Sequence, residues 1–363
     1  MTVRVDNAAT RFTPAASRER TILKQEPKLV GIQYLRGIAA LMVVCYHICA
    51  QTLTYDGMRN YHGIFDVWKL VSGIDLFFVI SGFVMWVTSQ HRTPGEFVWR
   101  RLIRIVPLYW LLTGLIVVLA LIAPGTFRVT HVSVMTTVKS LFFIPYANAD
   151  GDFFPILAPG WTLNYEMFFY ALFSLALFTR HRLIWVGLAL ASLIVVGWSK
   201  PSFYTNPMIA EFWCGMFIGY AYDRGWLRKI PLALAVGLIA GGLASLLTPV
   251  WGNTRAVYLL SPMAIVMGSV AIEQVHGLRR IEWPALLGDA SYSLYLTHLY
   301  VLRVLHILWV RLFPDNPWCF AAVAMVIVSL VAVGVFRTVE TPMLAWFKRA
   351  SRPKMATSLD AAG

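Results

Sequence analysis

The sequence predicts an all-α polytopic membrane protein of about ten transmembrane helices, with both termini cytoplasmic. Three observations predict it. The chain is 58% hydrophobic and only 13% charged over 363 residues, with a mean hydropathy of +0.64. A soluble domain is nearer half apolar, with about a quarter of its residues charged. The apolar residues fall into runs long enough to cross a bilayer, which takes about 17–25 helical residues. The 31 lysines and arginines collect in the short segments between those runs. The net charge of +13 therefore reads as a topology signal, and it does not argue for a nucleic-acid partner. The partner that composition requires is the lipid bilayer.

The spans, in order, are 35–53, 67–88, 105–123, 162–178, 183–199, 206–222, 231–248, 255–273, 291–310 and 319–338. Residues 1–33 form a basic, polar tail, expected to be disordered and cytoplasmic, with no apolar core of a cleavable signal peptide. Residues 34–340 make one membrane domain. Residues 341–363 are a short cytoplasmic tail, too small for a second domain. With the N-terminus inside, the inner segments hold 21 of the 31 basic residues and the outer loops, counting Arg255 at the outer lip of its span, six. The inverted topology requires the reverse asymmetry. An even number of spans returns the C-terminus to the starting side. The longest loop, 124–161, carries an apolar patch from Val138 to Ile144 that either re-enters the membrane or lies at its surface.

Gly215/Gly219 and Gly237/Gly241 have the GxxxG spacing that lets helices approach closely, and read as internal packing rather than dimerisation. Cys45, Cys49, Cys214 and Cys319 lie in or beside apolar runs, without metal-ligand or disulfide spacing. They read as small core residues, and no metal site is expected. There is no internal repeat of the kind many transporters carry. Phosphate-loop, serine-elbow and zinc-protease motifs are also missing.

The chemistry concentrates in a few ionisable residues inside apolar runs, where charge is costly and function is the default reading. Arg36 and His47 are eleven residues apart, almost a whole number of turns, so they share one helical face about 16 Å apart. Counting along the spans sets His47 and Asp75 each roughly 12 Å below the outer surface. A carboxylate beside an imidazole would fix its tautomer and raise its basicity. Alternatively, Asp75 bonds backbone or hydroxyl groups and only holds helices together. Glu166 begins the fourth span at its outer end. It either binds a hydroxyl-bearing substrate and assists proton transfer, or belongs to an interfacial belt with Trp161 and Tyr165. Arg101 and Arg104 share a face just before the third span, on the same side as Arg36. Guanidinium forks match phosphate, so a phosphate-rich cytoplasmic cosubstrate suits the three. Topology and anionic lipid would equally account for them. His298, in the inner half of the ninth span, and Tyr295 one turn before it are candidates to line a cavity. A packed, satisfied histidine is the alternative.

In order and spacing these residues resemble the acyltransferase 3 family of integral-membrane O-acyltransferases, and within it the ExoZ-like branch named for exopolysaccharide acetylation. The resemblance rests on Arg36, ten intervening residues and His47; on Gly73-Ile-Asp-Leu-Phe-Phe-Val-Ile-Ser-Gly-Phe83; and on Arg101 and Arg104 followed by Ile-Val-Pro107. It rests further on Trp161 through Tyr170, with Thr162 where the family usually has serine, and on Ser291-Tyr-Ser-Leu-Tyr-Leu-Thr-His298. It covers roughly residues 30–345. It implies transfer of an acyl group, usually acetyl, from acetyl-CoA as cosubstrate to a sugar hydroxyl of an envelope or secreted glycan or lipid-linked sugar. The location implied is the bacterial inner membrane. Arg36 and His47 resemble the family's essential pair, and Arg101 and Arg104 its acyl-CoA motif. On this reading the arginines hold the phosphates, and His47 either takes the proton of the attacking hydroxyl or carries the acyl group first. The rivals are a transporter or flippase of a glycan-related solute and a scaffold subunit. The Arg36/His47 face and the inner arginines favour the enzyme.

Overall fold

The computed structural model describes residues 29–52, 67–123, 132–148, 151–247, 254–313 and 316–350. The predicted tails at 1–28 and 351–363 lie outside the described residues. Among the described residues thirteen α-helices follow one another: α1 (Val30–Thr52), α2 (Gly73–Thr88), α3 (Pro94–Ile122), α4 (Val134–Leu141), α5 (Trp161–Ala176), α6 (Arg182–Gly197), α7 (Ile209–Asp223), α8 (Leu232–Leu247), α9 (Arg255–His276), α10 (Glu282–Asp289), α11 (Ser291–Leu312), α12 (Pro317–Val335) and α13 (Thr341–Ala350). No strand occurs among the described residues. Six helical stretches there are long and apolar enough to cross a membrane: α1, Leu70–Thr88, α3, α9, α11, and Pro317–Ala350, in which α12 runs through a π-helical turn into α13. The chain is a multi-pass membrane protein. Helices α5 to α8, of 15 or 16 residues each, fall where four further spans are predicted.

The bundle is closed by glycines where helix backbones touch. A methyl on Gly82 of α2 would fall 2.0 Å from the Phe212 carbonyl oxygen, and one on Gly215 of α7 would fall 1.9 Å from that of Val79. Gly219 of α7 packs on Trp86, so this GxxxG pair serves internal packing. The pair Gly237/Gly241 does not: neither meets another side chain or backbone. Helices α8 and α9 approach through Gly242 and Gly268 instead. The first turn of α1 is held by Glu273 of α9, whose carboxylate accepts the Val30 and Gly31 N–H groups at 2.6 and 2.8 Å. That is a favourable place for negative charge, since those N–H groups have no partner within the helix. Two turns on, α1 lies against α10. A methyl on Gly288 would fall 2.0 Å from the Gln33 carbonyl, and Gly37 faces the Gly288 backbone.

The apolar patch from Val138 to Ile144 lies on the surface. It forms the end of α4, with Phe142 65% exposed. The segment that turns inward is Ile156–Gly160, just before α5. Ile156, Leu157, Pro159 and Gly160 are buried. The Ile156 N–H donates to Ser140 Oγ at 3.0 Å, and the Ala158 N–H to Tyr300 Oη at 3.3 Å. Gly160 leaves room for the Tyr109 ring, 2.5 Å from where a methyl would sit. Of the cysteines, Cys214 is buried and Cys45 and Cys49 are half-buried, but Cys319 is exposed and is no core residue.

Candidate active site

Residues of five helices line two cavities that follow one another along α1. The first takes Arg36 from α1, Ser81 from α2, Arg101 and Arg104 from α3, Glu166 and Tyr170 from α5, and Tyr292 and Tyr295 from α11. The second takes His47 from α1, His298 from α11, and Phe154, Pro159 and Trp161 from the inward-turning segment and the start of α5. Ile74 and Tyr295 line both. Arg36 and His47 thus open onto the two cavities from one helix, at the eleven-residue spacing that puts them on one face.

The arginine cavity is built on paired charges. Arg104 forms an ion pair with Glu340, which is buried and also accepts the Ser293 hydroxyl at 2.5 Å. Arg101 donates from Nη2 to Thr88 Oγ1 and lies 5.6 Å from the Phe97 ring centroid and 6.0 Å from that of Tyr170. Its Nε is buried without a partner. Glu166 accepts from Ser81 Oγ at 3.2 Å and from Tyr170 Oη at 2.9 Å. Three guanidinium groups against two carboxyls leave this cavity short of negative charge, with a buried donor facing no acceptor. Buried donors in native proteins are as a rule satisfied, so an anionic or carbonyl-bearing ligand fits here. Outside the spans, partial burial and the neighbouring Arg100 and Arg101 push the Arg92 guanidinium down to about 10.

The histidine cavity is nearly apolar. The rings of His47 and His298 lie 5.1 Å apart, centroid to centroid, tilted by 43°. His298 is buried, and its Nδ1 lies 2.7 Å from the Tyr295 carbonyl oxygen. A carbonyl only accepts, so Nδ1 carries the hydrogen and Nε2 keeps a lone pair. That Nε2 has no partner. Between the cavities, the hydroxyls of Tyr295 and Thr162 are 3.0 Å apart.

Three placements differ from the sequence expectation. Asp75 does not meet His47. Its neighbour Ile74 faces the cavities, and one residue further along a helix the direction turns by about 100°. The Asp75 carboxyl therefore points to α7, where it hydrogen-bonds with Glu211, with Arg255 of α9 close by. Glu166 is not interfacial. The chain turns inward before α5, so the first turn of that helix, Thr162 to Tyr165, is already buried. His298, counted into the inner half of its span, stands level with His47, the ring centroids 5.1 Å apart. Gly37 touches Gly288, and His47 and His298 each follow ten residues later, so the two rise together by about 15 Å. Helix α10, read as loop, supplies the missing height: Ala290, between α10 and α11, keeps a helical φ of −83°.

Residues missed by sequence reasoning are Glu340, Ser81, Tyr170 and Tyr292. A signal existed for Tyr170, four residues after Glu166 and so on its helical face. Glu340 sits at the π-helical turn Phe336–Glu340, a feature that recurs at functional sites and that residue patterns do not announce.

The comparisons with known proteins identify the family. The family described as an acyltransferase domain, acyltransferase 3, matches residues 29–337. The chain is 39% identical over 289 residues to the exopolysaccharide production protein ExoZ of Rhizobium meliloti, covering 75% of this chain and 89% of that protein. It is 28% identical to the acyltransferase MdmB of Streptomyces mycarofaciens, over 93% of this chain and 95% of that one. It is 24% identical to the O-acetyltransferase OatA of Staphylococcus aureus, over 87% of this chain and 57% of that longer protein. No solved structure matches. The family match over residues 29–337, together with the 39% identity to ExoZ, leads to one conclusion: the chain belongs to the acyltransferase 3 family.

Proposed function

We propose that this protein is an acetyl-CoA-dependent O-acetyltransferase of the bacterial inner membrane, acting on a sugar hydroxyl of an exopolysaccharide or another envelope glycan. In this reading ten helices cross the bilayer, both termini are cytoplasmic, and residues 34–340 form the catalytic domain between two short tails. The observation that carries the proposal is the column of two adjoining cavities, Arg36, Arg101 and Arg104 lining one and His47 the other, with Tyr295 shared between them. A phosphate-bearing donor with a long thin arm has its charge at one end and its reactive thioester at the other, and the column has the same polarity. The names of the relatives, exopolysaccharide production and O-acetyltransferase, point the same way.

The chemistry follows from position. The arginines hold the phosphates of acetyl-CoA at the cytoplasmic side, with bidentate contacts open to Arg36 and Arg101. The pantetheine arm passes Ser81 and Glu166, and the thioester reaches the boundary at Tyr295, whose hydroxyl is placed to donate to a developing oxyanion. His47 meets the acyl carbonyl and the acceptor from the far side.

The test uses the full chain in lipid nanodiscs with radiolabelled acetyl-CoA and the polysaccharide of the producing strain. Wild type should bind acetyl-CoA and move label to the polysaccharide. Arg101→Ala should lose binding, and His47→Ala should bind without transfer. A folded wild type that binds no acetyl-CoA would reject the donor and move a glycan transporter to the front.

A further inference from the structure

We propose that His298 is a second catalytic residue: the base that accepts the proton of the acceptor hydroxyl, so that His47 is free to carry the acetyl group. The inference rests on the acetyltransferase reading and deepens it at the same column.

Three observations carry it. Nδ1 of His298 is committed to the Tyr295 carbonyl, so Nε2 presents a lone pair and nothing else. That atom is buried and unpartnered, and the residues His298 and His47 line the same cavity. The two rings stand 5.1 Å apart and tilted by 43°, so they do not stack, and one oxygen beside them is within reach of both. A buried acceptor without a partner is costly, and a hydroxyl satisfies it. By contrast, among the described residues no hydrogen bond fixes the tautomer of His47, so either of its forms is open to it. The neighbouring Phe154 and Trp161 surround this place with apolar and aromatic surface, which suits the carbon-bearing face of a sugar ring and keeps out bulk water.

The division of labour follows. A single imidazole cannot hold an acyl group and take a hydroxyl's proton with the same nitrogen. In the first step the free nitrogen of His47 forms a bond to the thioester carbon and the C–S bond breaks. The departing thiolate takes the proton from the other ring nitrogen, leaving neutral N-acetyl-His47 and free CoA. In the second step the acceptor oxygen bonds to the acetyl carbon while its proton goes to His298 Nε2. The C–N bond breaks, and its electron pair stays on His47. The proton then returns from His298 to His47, and both rings end neutral. The sum is acetyl-CoA plus alcohol giving ester plus CoA, with no other reactant.

The experiment mixes radiolabelled acetyl-CoA with the full-length protein in nanodiscs, without acceptor, and counts CoA released and acetyl left on the protein, trapped as acetohydroxamate with hydroxylamine. His298→Ala should release about one CoA per chain, hold the acetyl group on His47, and discharge it to polysaccharide at least tenfold more slowly than wild type. Added free imidazole, which fits the space vacated, should restore much of that rate. His47→Ala should release none. His298→Gln, which keeps an acceptor near the same place without being a base, serves as the folding control: it should bind acetyl-CoA and show the same slow discharge. Turnover of both His298 variants at the wild-type rate would overturn the proposal. So would variants that bind acetyl-CoA but release no CoA, because His298 would then act before acyl transfer. If wild type itself neither binds nor cleaves acetyl-CoA, the acetyltransferase reading falls first and takes this inference with it.

Discussion

The two ends of the column use opposite means of holding their contents. At the arginine end, charge is abundant and mostly compensated: Arg104 has Glu340, Glu166 has Ser81 and Tyr170, and one buried guanidinium nitrogen is left over. At the histidine end there is almost no charge, and the polar atoms on offer are ring nitrogens in an apolar wall. The first arrangement recognises a ligand by strong, long-range and salt-sensitive forces. The second recognises only what fits and brings a hydrogen to donate. The difference teaches that binding and chemistry are separated along the bundle axis, so that damage to one end should leave the other measurable.

The sharpest way to break that comparison is His47→Ala. Loss of the imidazole that carries the acetyl group should abolish transfer, while the dissociation constant for acetyl-CoA, measured by equilibrium binding, should stay within about threefold. A large loss of binding would mean that the two ends are not separate. The next effect is that of Arg101→Ala. Charge-assisted hydrogen bonds contribute about 1.5–3 kcal/mol each, so acetyl-CoA affinity should fall about ten- to hundredfold, and the salt dependence of binding should flatten. Discharge of any acetyl already on the enzyme should not change. Glu340→Gln leaves Arg104 without its partner. Breaking a fully buried pair costs about 3–5 kcal/mol, and less is expected here because the Arg104 side chain is 28% exposed. The readouts are a lower unfolding temperature and a severalfold change in acetyl-CoA affinity, with the histidine end unaffected. The smallest effect should come from Asp75→Asn. That carboxyl points to Glu211 on the far side of α2, so turnover should remain within about threefold of wild type. A hundredfold loss would restore it to the site and contradict the geometry.

Much of this molecule was legible in its residues. The apolar runs and the basic segments between them announce a helical membrane bundle. The eleven-residue step from Arg36 to His47 places both on one face because helical periodicity is nearly invariant. The arginine cavity was partly visible, since Arg101 and Arg104 repeat that logic one turn apart. What was not legible depends on azimuth and height between helices. Nothing local says which way Asp75 turns once α2 is packed, and a single residue of rotation decides it. The meeting of His47 and His298 depends on α10, eight residues that read as loop and whose only purpose visible in the fold is to set the starting height of α11. The burial of Glu166 depends on the chain turning inward at Ile156–Gly160, a tertiary event with no periodic signature.

The contact between Gly37 and Gly288 has a consequence for heredity. It lies about 15 Å from both imidazoles, carries no polar group and touches no substrate, yet it is the gauge from which their separation is struck. A single-nucleotide change that adds one methyl group there would put the two rings out of step without altering any residue that does chemistry. Collections of inactive alleles should therefore contain glycine lesions at this crossing alongside the expected histidine and arginine ones, and enzymes crippled in this way should regain function through compensating small-residue changes near Gln33.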